Sequence, residues 1–211
     1  MENKSTKNML VLIYTLFAHR LNSAEMKSNY KPYILKTLAL IALIFVFNSF
    51  KQKTPLAIEP GYKINFSIGY WAGVCNASIA GLIGNVMFDE NDLKKSVFNF
   101  GVDLNTLKTG IEKRDDHLKT ADYFNVVKNP TIIFKSSSIL KTSQGYIAEG
   151  NLTIKAITKK IVFPFIYKET KDAGVFSGSF KINRLDYYVG ENTWKIKDTV
   201  AVTFTIPVKK Q

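Results

Sequence analysis

A chain of 211 residues has room for one domain of ordinary size plus a processed or tethering segment. Hydrophobic residues at 46% against 22% charged residues exclude compositional disorder, and the one cysteine, Cys75, excludes an intrachain disulfide, a cysteine zinc knuckle and a thioredoxin-type pair. The net charge of +12 splits along the chain: residues 1–53 hold eight Lys or Arg and two Glu, and residues 54–211 hold 21 basic and 15 acidic groups with no block of five like charges. No basic helix or stacking motif accompanies that charge, so nucleic acid is not an expected partner, whereas attraction to an anionic membrane surface is.

The first element is an apolar run, residues 37–47 (TLALIALIFVF), preceded by Lys27, Lys31 and Lys36. Its length suits a signal-peptide core of about 7–15 residues and falls short of the roughly 20 that cross a bilayer. Residues 1–53 are therefore expected to be a leader, cut as a signal peptide or kept as a membrane anchor, and residues 54–211 the folded domain. The expected location is periplasmic or secreted, or membrane-tethered where the leader stays uncut. Met26 makes a natural start for such a signal. A second apolar stretch at 9–18 keeps open two short helices belonging to the fold. No cysteine follows the apolar run, so lipoprotein processing is not expected.

Residues 62–70 then alternate large apolar with small or polar side chains, the period of a half-buried strand. Strands are expected also at 74–88, 98–102, 131–139, 146–154, 161–167, 176–182 and 200–208, about eight in all. Ser143-Gln144-Gly145, Lys171-Asp172-Ala173-Gly174 and Gly190-Glu191-Asn192 are turn material between them, which makes most neighbours antiparallel. Residues 109–124, with Glu112, Arg114, Asp115, His117 and Lys119 around Leu118, break the alternation and predict one short helix. The fold class is thus all-β, an antiparallel sandwich or closed barrel. Glycines inside strands at Gly69, Gly81, Gly101, Gly150 and Gly178 favour the barrel, because coiling strands bend where no Cβ intervenes. Such a barrel is either filled by its own side chains or hollow enough for one apolar ligand. Fifteen Phe and ten Tyr weigh toward an aromatic-lined interior without deciding between the two.

Three ordered stretches carry a resemblance. Arg114-Asp115-Asp116-His117-Leu118 leads into Asp122-Tyr123-Phe124-Asn125-Val126 and Asn129-Pro130-Thr131-Ile132-Ile133-Phe134. Gly150-Asn151-Leu152-Thr153-Ile154 follows with Thr158-Lys159, and then Asn183-Arg184-Leu185-Asp186-Tyr187-Tyr188-Val189-Gly190. Residues 60–208 resemble the YceI-like family of polyisoprenoid-binding proteins, although Asn151 and Ala156 stand where that family more usually has Asp and Gly. The resemblance implies a lipocalin-like, roughly eight-stranded antiparallel barrel with one short helix. It also implies a long apolar pore for a long-chain lipid such as a polyprenyl compound, in a periplasmic or secreted protein.

On that reading Phe66, Ile68, Tyr70, Phe98, Phe100, Phe134, Phe163, Phe165, Phe176, Phe180 and Phe204 are expected to line the pore. Arg184 and Asp186 lie two apart on an expected strand and so share a face, where they either pair with each other or meet a lipid head group; the guanidinium fork suits a phosphate. His117 beside Asp115 and Asp116 makes a poor metal cage, since adjacent carboxylates diverge, and no metal is expected. Cys75 reads as a small buried apolar residue. No G-x-S-x-G, P-loop, H-E-x-x-H or paired-cysteine motif occurs, so a non-catalytic carrier without cofactor is expected. A filled barrel serving as a secreted interaction or stress-response module stays open beside it, as does self-association into a homodimer; an enzyme is the weakest alternative.

Overall fold

The computed structural model describes residues 55–210. The leader expected at 1–53, with its paired-helix alternative, lies outside the described residues. Nine antiparallel strands occur within them: β1 (Leu56–Ile58), β2 (Lys63–Tyr70), β3 (Gly73–Met87), β4 (Val97–Lys108), β5 (Thr131–Thr142), β6 (Gly145–Ile154), β7 (Ile157–Glu169), β8 (Ala173–Asn183) and β9 (Ile196–Lys210). One helix, α1 (Glu112–Lys119), lies between β4 and β5. Each strand from β4 to β9 pairs with the next, β9 pairs with β2, β2 with β3, and β3 with β4, so eight long strands close into a barrel.

The short β1 was not expected, because three residues beside Pro60 are too few to show a period. It pairs with β9 through Ala57↔Lys209 and with β3 through Leu56↔Val86, which places it on the same line of wall as β2 after a break at 59–62. Gly61, at φ +92°, makes that break.

Alternation sets which side chains enter the barrel. Val200, Val202, Phe204, Ile206 and Val208 of β9 point inward, and on the adjoining β8 so do Phe176, Gly178, Phe180 and Ile182, with Phe180↔Val202 and Gly178↔Phe204 in register. Gly178 is glycine because the Phe204 ring lies across it: a Cβ there would stand 2.6 Å from Phe204 Cζ and 2.7 Å from the Pro164 carbonyl oxygen. In β3 the alternation changes phase at Gly81, whose φ of +65° inserts a bulge. Ala77 and Ile79 are buried before it and Val86 and Phe88 after it, while Ile83 is left 66% exposed.

The expected helix is shorter than residues 109–124, since only eight residues are helical and turns follow. No side chain caps Ile111; α1 is instead tied back to the end of β4. Asp115 Oδ1 accepts from the Thr109 N–H (2.8 Å) and hydroxyl, and Arg114 Nε donates to Thr109 Oγ1 (2.8 Å) and Nη2 to the Thr109 carbonyl (3.0 Å). The Thr109 hydroxyl, helped by its N–H, holds the Asp115 carboxyl below its ordinary range.

The core has two parts. At the end of the barrel carrying the β3–β4 connection, the Phe88 ring meets Tyr167 (4.9 Å between centroids), Tyr146 (5.1 Å), Phe176 (5.2 Å), Phe165 (5.9 Å) and Phe98 (6.0 Å). At the opposite end, beneath the connection that holds α1, Ile79, Leu104, Leu107 and Val126 form a smaller cluster against Leu118 and Phe124. β4 bulges there, since Ser78↔Lys108 is followed by Ala80↔Asp103, and the extra residues carry Leu104 and Leu107 out of contact with solvent.

The β6–β7 turn has both central residues in the left-handed region, Lys155 at φ 51° and Ala156 at φ 63°, a geometry that favours glycine. Ala156→Gly is expected to raise the unfolding free energy by roughly 0.5–1 kcal/mol in urea denaturation with the m-value unchanged.

Candidate functional site

The inward faces of the strands leave a cavity of about 180 Å³ whose lining contains no charged or hydrogen-bonding side chain. Of the residues expected in the lining, Phe66, Phe98, Phe100, Phe134, Phe163, Phe176, Phe180 and Phe204 are brought together around it. Gly150 makes room as Gly178 does: a Cβ there would stand 2.7 Å from Phe134 Cζ. Phe163 stacks on Phe180 at 4.9 Å and meets Phe134 at 5.1 Å.

Three expected lining residues lie elsewhere. Ile68 keeps its register with Val200 but is not among the lining residues, and the β2–β9 register slips only after it, so that Tyr70 pairs with Ile196 beside the turn at Trp71. Phe165 does point inward, but one layer further along, where it is 2% exposed and packs among Phe88, Phe98, Tyr146 and Phe176. That ring cluster fills its end of the barrel, so the interior is a chamber closed on that side rather than a pore running through. The rest of the wall is aliphatic, with Ile64, Ile132, Ile154, Ile161, Ile182, Val200 and Val202 among its members. They occupy alternate strand positions as the phenylalanines do.

The closed end is pinned by a polar contact. The Tyr146 hydroxyl donates to Glu90 on the β3–β4 connection. Burial, then the Glu90 carboxylate, pushes the Tyr146 phenol up to about 12.

Arg184 is not placed to meet a ligand. It is 4% exposed and sits in a short 3-10 turn (Arg184–Tyr187), not on a strand, so the face expected to be shared with Asp186 does not exist. Its Nη1 donates to the Val189 carbonyl (2.8 Å), Nε to the Lys197 carbonyl (3.1 Å), and Nη2 to the Glu191 carbonyl (2.8 Å) and to Asp198 Oδ1 (3.1 Å). The arginine is a clamp on the β8–β9 connection, its partner Asp198 in place of Asp186.

The remaining motif residues work at the same end. Gly190 N–H donates to the Asp122 carbonyl (2.9 Å), and the Tyr123 ring packs on His117 at 4.9 Å. No group of three or more His, Cys, Asp or Glu able to hold a metal occurs among the described residues. Cys75 is half-buried, and that burial pushes its thiol up.

A family model for the YceI-like domain matches residues 60–208. The chain belongs to the YceI-like family. Among curated relatives of this YceI-like chain, a UPF0312 protein of Serratia proteamaculans is 36% identical over 78 residues, 37% of this chain and 41% of that protein. One from Photorhabdus laumondii is 33% identical over 79 residues, again 37% and 41%. The chain thus spans about 41% of the length of the curated relatives it matches. Among solved structures, Burkholderia cenocepacia BcnA superposes with a TM-score of 0.65 at 21% identity, covering 69% of this chain and 95% of BcnA. A polyisoprenoid binding domain from Saccharophagus degradans, described as implicated in plant cell wall breakdown, gives 0.57 at 14% identity, covering 74% and 98%. At these identities the two structures share the YceI-like barrel with this chain.

Two measurements test the site's supports. Because the native state keeps the Tyr146 proton while the unfolded chain loses its own near pH 10, the contribution of Tyr146 to stability is expected to be constant below pH 10 and to fall as pH rises from 10 to about 12. Tyr146→Phe should flatten part of that fall in urea denaturation at stepped pH. Arg184→Met, which strips donors from buried carbonyls, is expected to cost roughly 1–3 kcal/mol of stability, read as a lower denaturation midpoint.

Proposed function

We propose that this protein is a non-catalytic carrier that holds the hydrocarbon tail of a long-chain lipid, of the isoprenoid class or one like it, inside the barrel. The observation that carries the reading is the cavity wall: none of its side chains offers a hydrogen bond, so an apolar tail is the ligand it suits. The Saccharophagus degradans neighbour, named as a polyisoprenoid binding domain, supports the same reading.

Each CH₂ withdrawn from water contributes about 0.8 kcal/mol, which holds a tail firmly against aqueous loss. A dry apolar cavity of about 150 Å³ already takes a benzene ring, so a chamber of about 180 Å³ seats a short stretch of tail as it stands. A longer chain is accommodated by turning the half-buried Phe100, Phe180 and Phe204 rings, which lie between the closed end and the α1 end.

Export to a compartment outside the cytoplasm, and loading at a membrane surface, are part of this proposal. Trp71 (71% exposed), Trp194 (80%) and Val127 (96%) all project from connections at the α1 end, where the Trp71 N–H donates to the Lys195 carbonyl at 2.9 Å. Exposed indole rings favour the interface between head groups and water.

Protein purified from its native host, extracted with organic solvent and analysed by mass spectrometry, is expected to release a long-chain lipid. Val202→Phe, which fills the chamber, should reduce that yield and the uptake of an apolar fluorescent dye by about tenfold or more without loss of fold by circular dichroism. Wild-type protein free of lipid and blind to the dye would overturn the carrier reading in favour of a filled barrel acting as an interaction module.

A further inference from the structure

Ile64 and Ile79 line the apolar chamber on one side and an open outer pocket of about 700 Å³ on the other. The outer pocket mixes apolar surface with polar side chains. Lys63, Lys108, Asn65, Ser78 and Thr106 border it, with the 60–62 kink along one edge. Lys63 and Lys108 are exposed, and neither makes an ion pair or a side-chain hydrogen bond among the described residues. Asp103, the acidic residue on this stretch of β4, turns its carboxylate to the Asn105 N–H and amide (both 2.9 Å).

The wall is also weakest here. Ile64↔Ile79 is the last pair of the β2–β3 ladder, and β3 gains no further partner on that side until Val86 meets Leu56 of β1. Within the gap a side chain stands in for a strand, the Leu82 N–H donating to Tyr62 Oη (3.0 Å), while on the β4 edge of β3 the Ala80 N–H donates to Thr106 Oγ1 (2.8 Å). Parting the wall between Tyr62 and Leu82 breaks a side-chain hydrogen bond and leaves the backbone ladders intact.

We propose that this seam holds an anionic, phosphate-class lipid head group between Lys63 and Lys108 while the attached tail passes beside Ile64 and Ile79 into the chamber. The proposal rests on the carrier reading for the tail and adds the head-group chemistry and its place. Two unpaired ammonium groups beside one pocket attract a phosphate as point charges, and salt screens the attraction because the pocket is open.

The test uses two probes with one tail, geranylgeranyl monophosphate and geranylgeraniol, each displacing an apolar dye from the full chain. Wild type is expected to bind the monophosphate about fivefold or more tighter at low salt, with the difference shrinking as salt is added. Lys63→Gln/Lys108→Gln should bind both probes at the wild-type strength for the alcohol, with its thermal midpoint unchanged. Tyr62→Phe should speed exchange with vesicles severalfold.

Equal binding of both probes by wild type would overturn the head-group site while leaving the carrier reading standing. Failure of both to bind would overturn the carrier reading itself. A preference that survives in the double variant overturns the assignment to these lysines, and inorganic phosphate binding as tightly as the lipid phosphate overturns a lipid source. An unchanged exchange rate in Tyr62→Phe overturns entry through the seam.

Discussion

Pairing of β4 with β3 turns a sheet of eight long strands into a tube, and the chamber follows from that closure. An open sheet with the same alternation would have to bury its apolar face against a second layer. A closed sheet faces its own opposite wall instead, across a distance set by strand number and tilt. Eight strands leave a space that side chains nearly fill, so the size of each inward residue decides whether the middle is solid or hollow. Here Phe88 and its ring partners occupy one end, and glycines at 150 and 178 give up inward volume to the Phe134 and Phe204 rings.

That division separates what stabilises the protein from what it offers a ligand. The ring cluster, the Tyr146–Glu90 contact and the Leu104–Leu107 cluster close the two ends, each dry and well packed. Between them the wall is aromatic and aliphatic, without a polar anchor. A wall of this kind discriminates tails by shape alone, so any choice among lipids sharing a tail has to be made where the apolar interior meets polar surface. The interruption of β2 at 59–62 is such a place.

The residues by which the sequence is recognisable are not those that line the chamber. Arg114, Asp115, Asp122, Tyr123, Asn183, Arg184 and Gly190 act at the α1 end, tying the helix, the 3-10 turn and their connections together. Such roles demand particular donors and turn conformations, which leave an identifiable spelling. The chamber demands only apolar bulk at alternate positions, which many spellings satisfy.

Strand number, antiparallel order, the one helix and most of the inward Phe positions were legible in the sequence, because a period of two and glycine-rich turns are local properties of the chain. Three things were decided only in the tertiary structure. The bulge at Gly81 and the slip after Ile68 change the register without altering composition, so Ile83 turned outward and Tyr70 fell outside the lining. Phe165 joined a plug because depth along a barrel depends on strand tilt, which a single strand does not encode. Arg184 became a buried clamp because its acceptors, the carbonyls of Val189, Glu191 and Lys197, converge on it only when the β8–β9 connection folds back. Which side chains share a face is written in the spacing of one strand; what meets them across the barrel is settled by the strands on the far side.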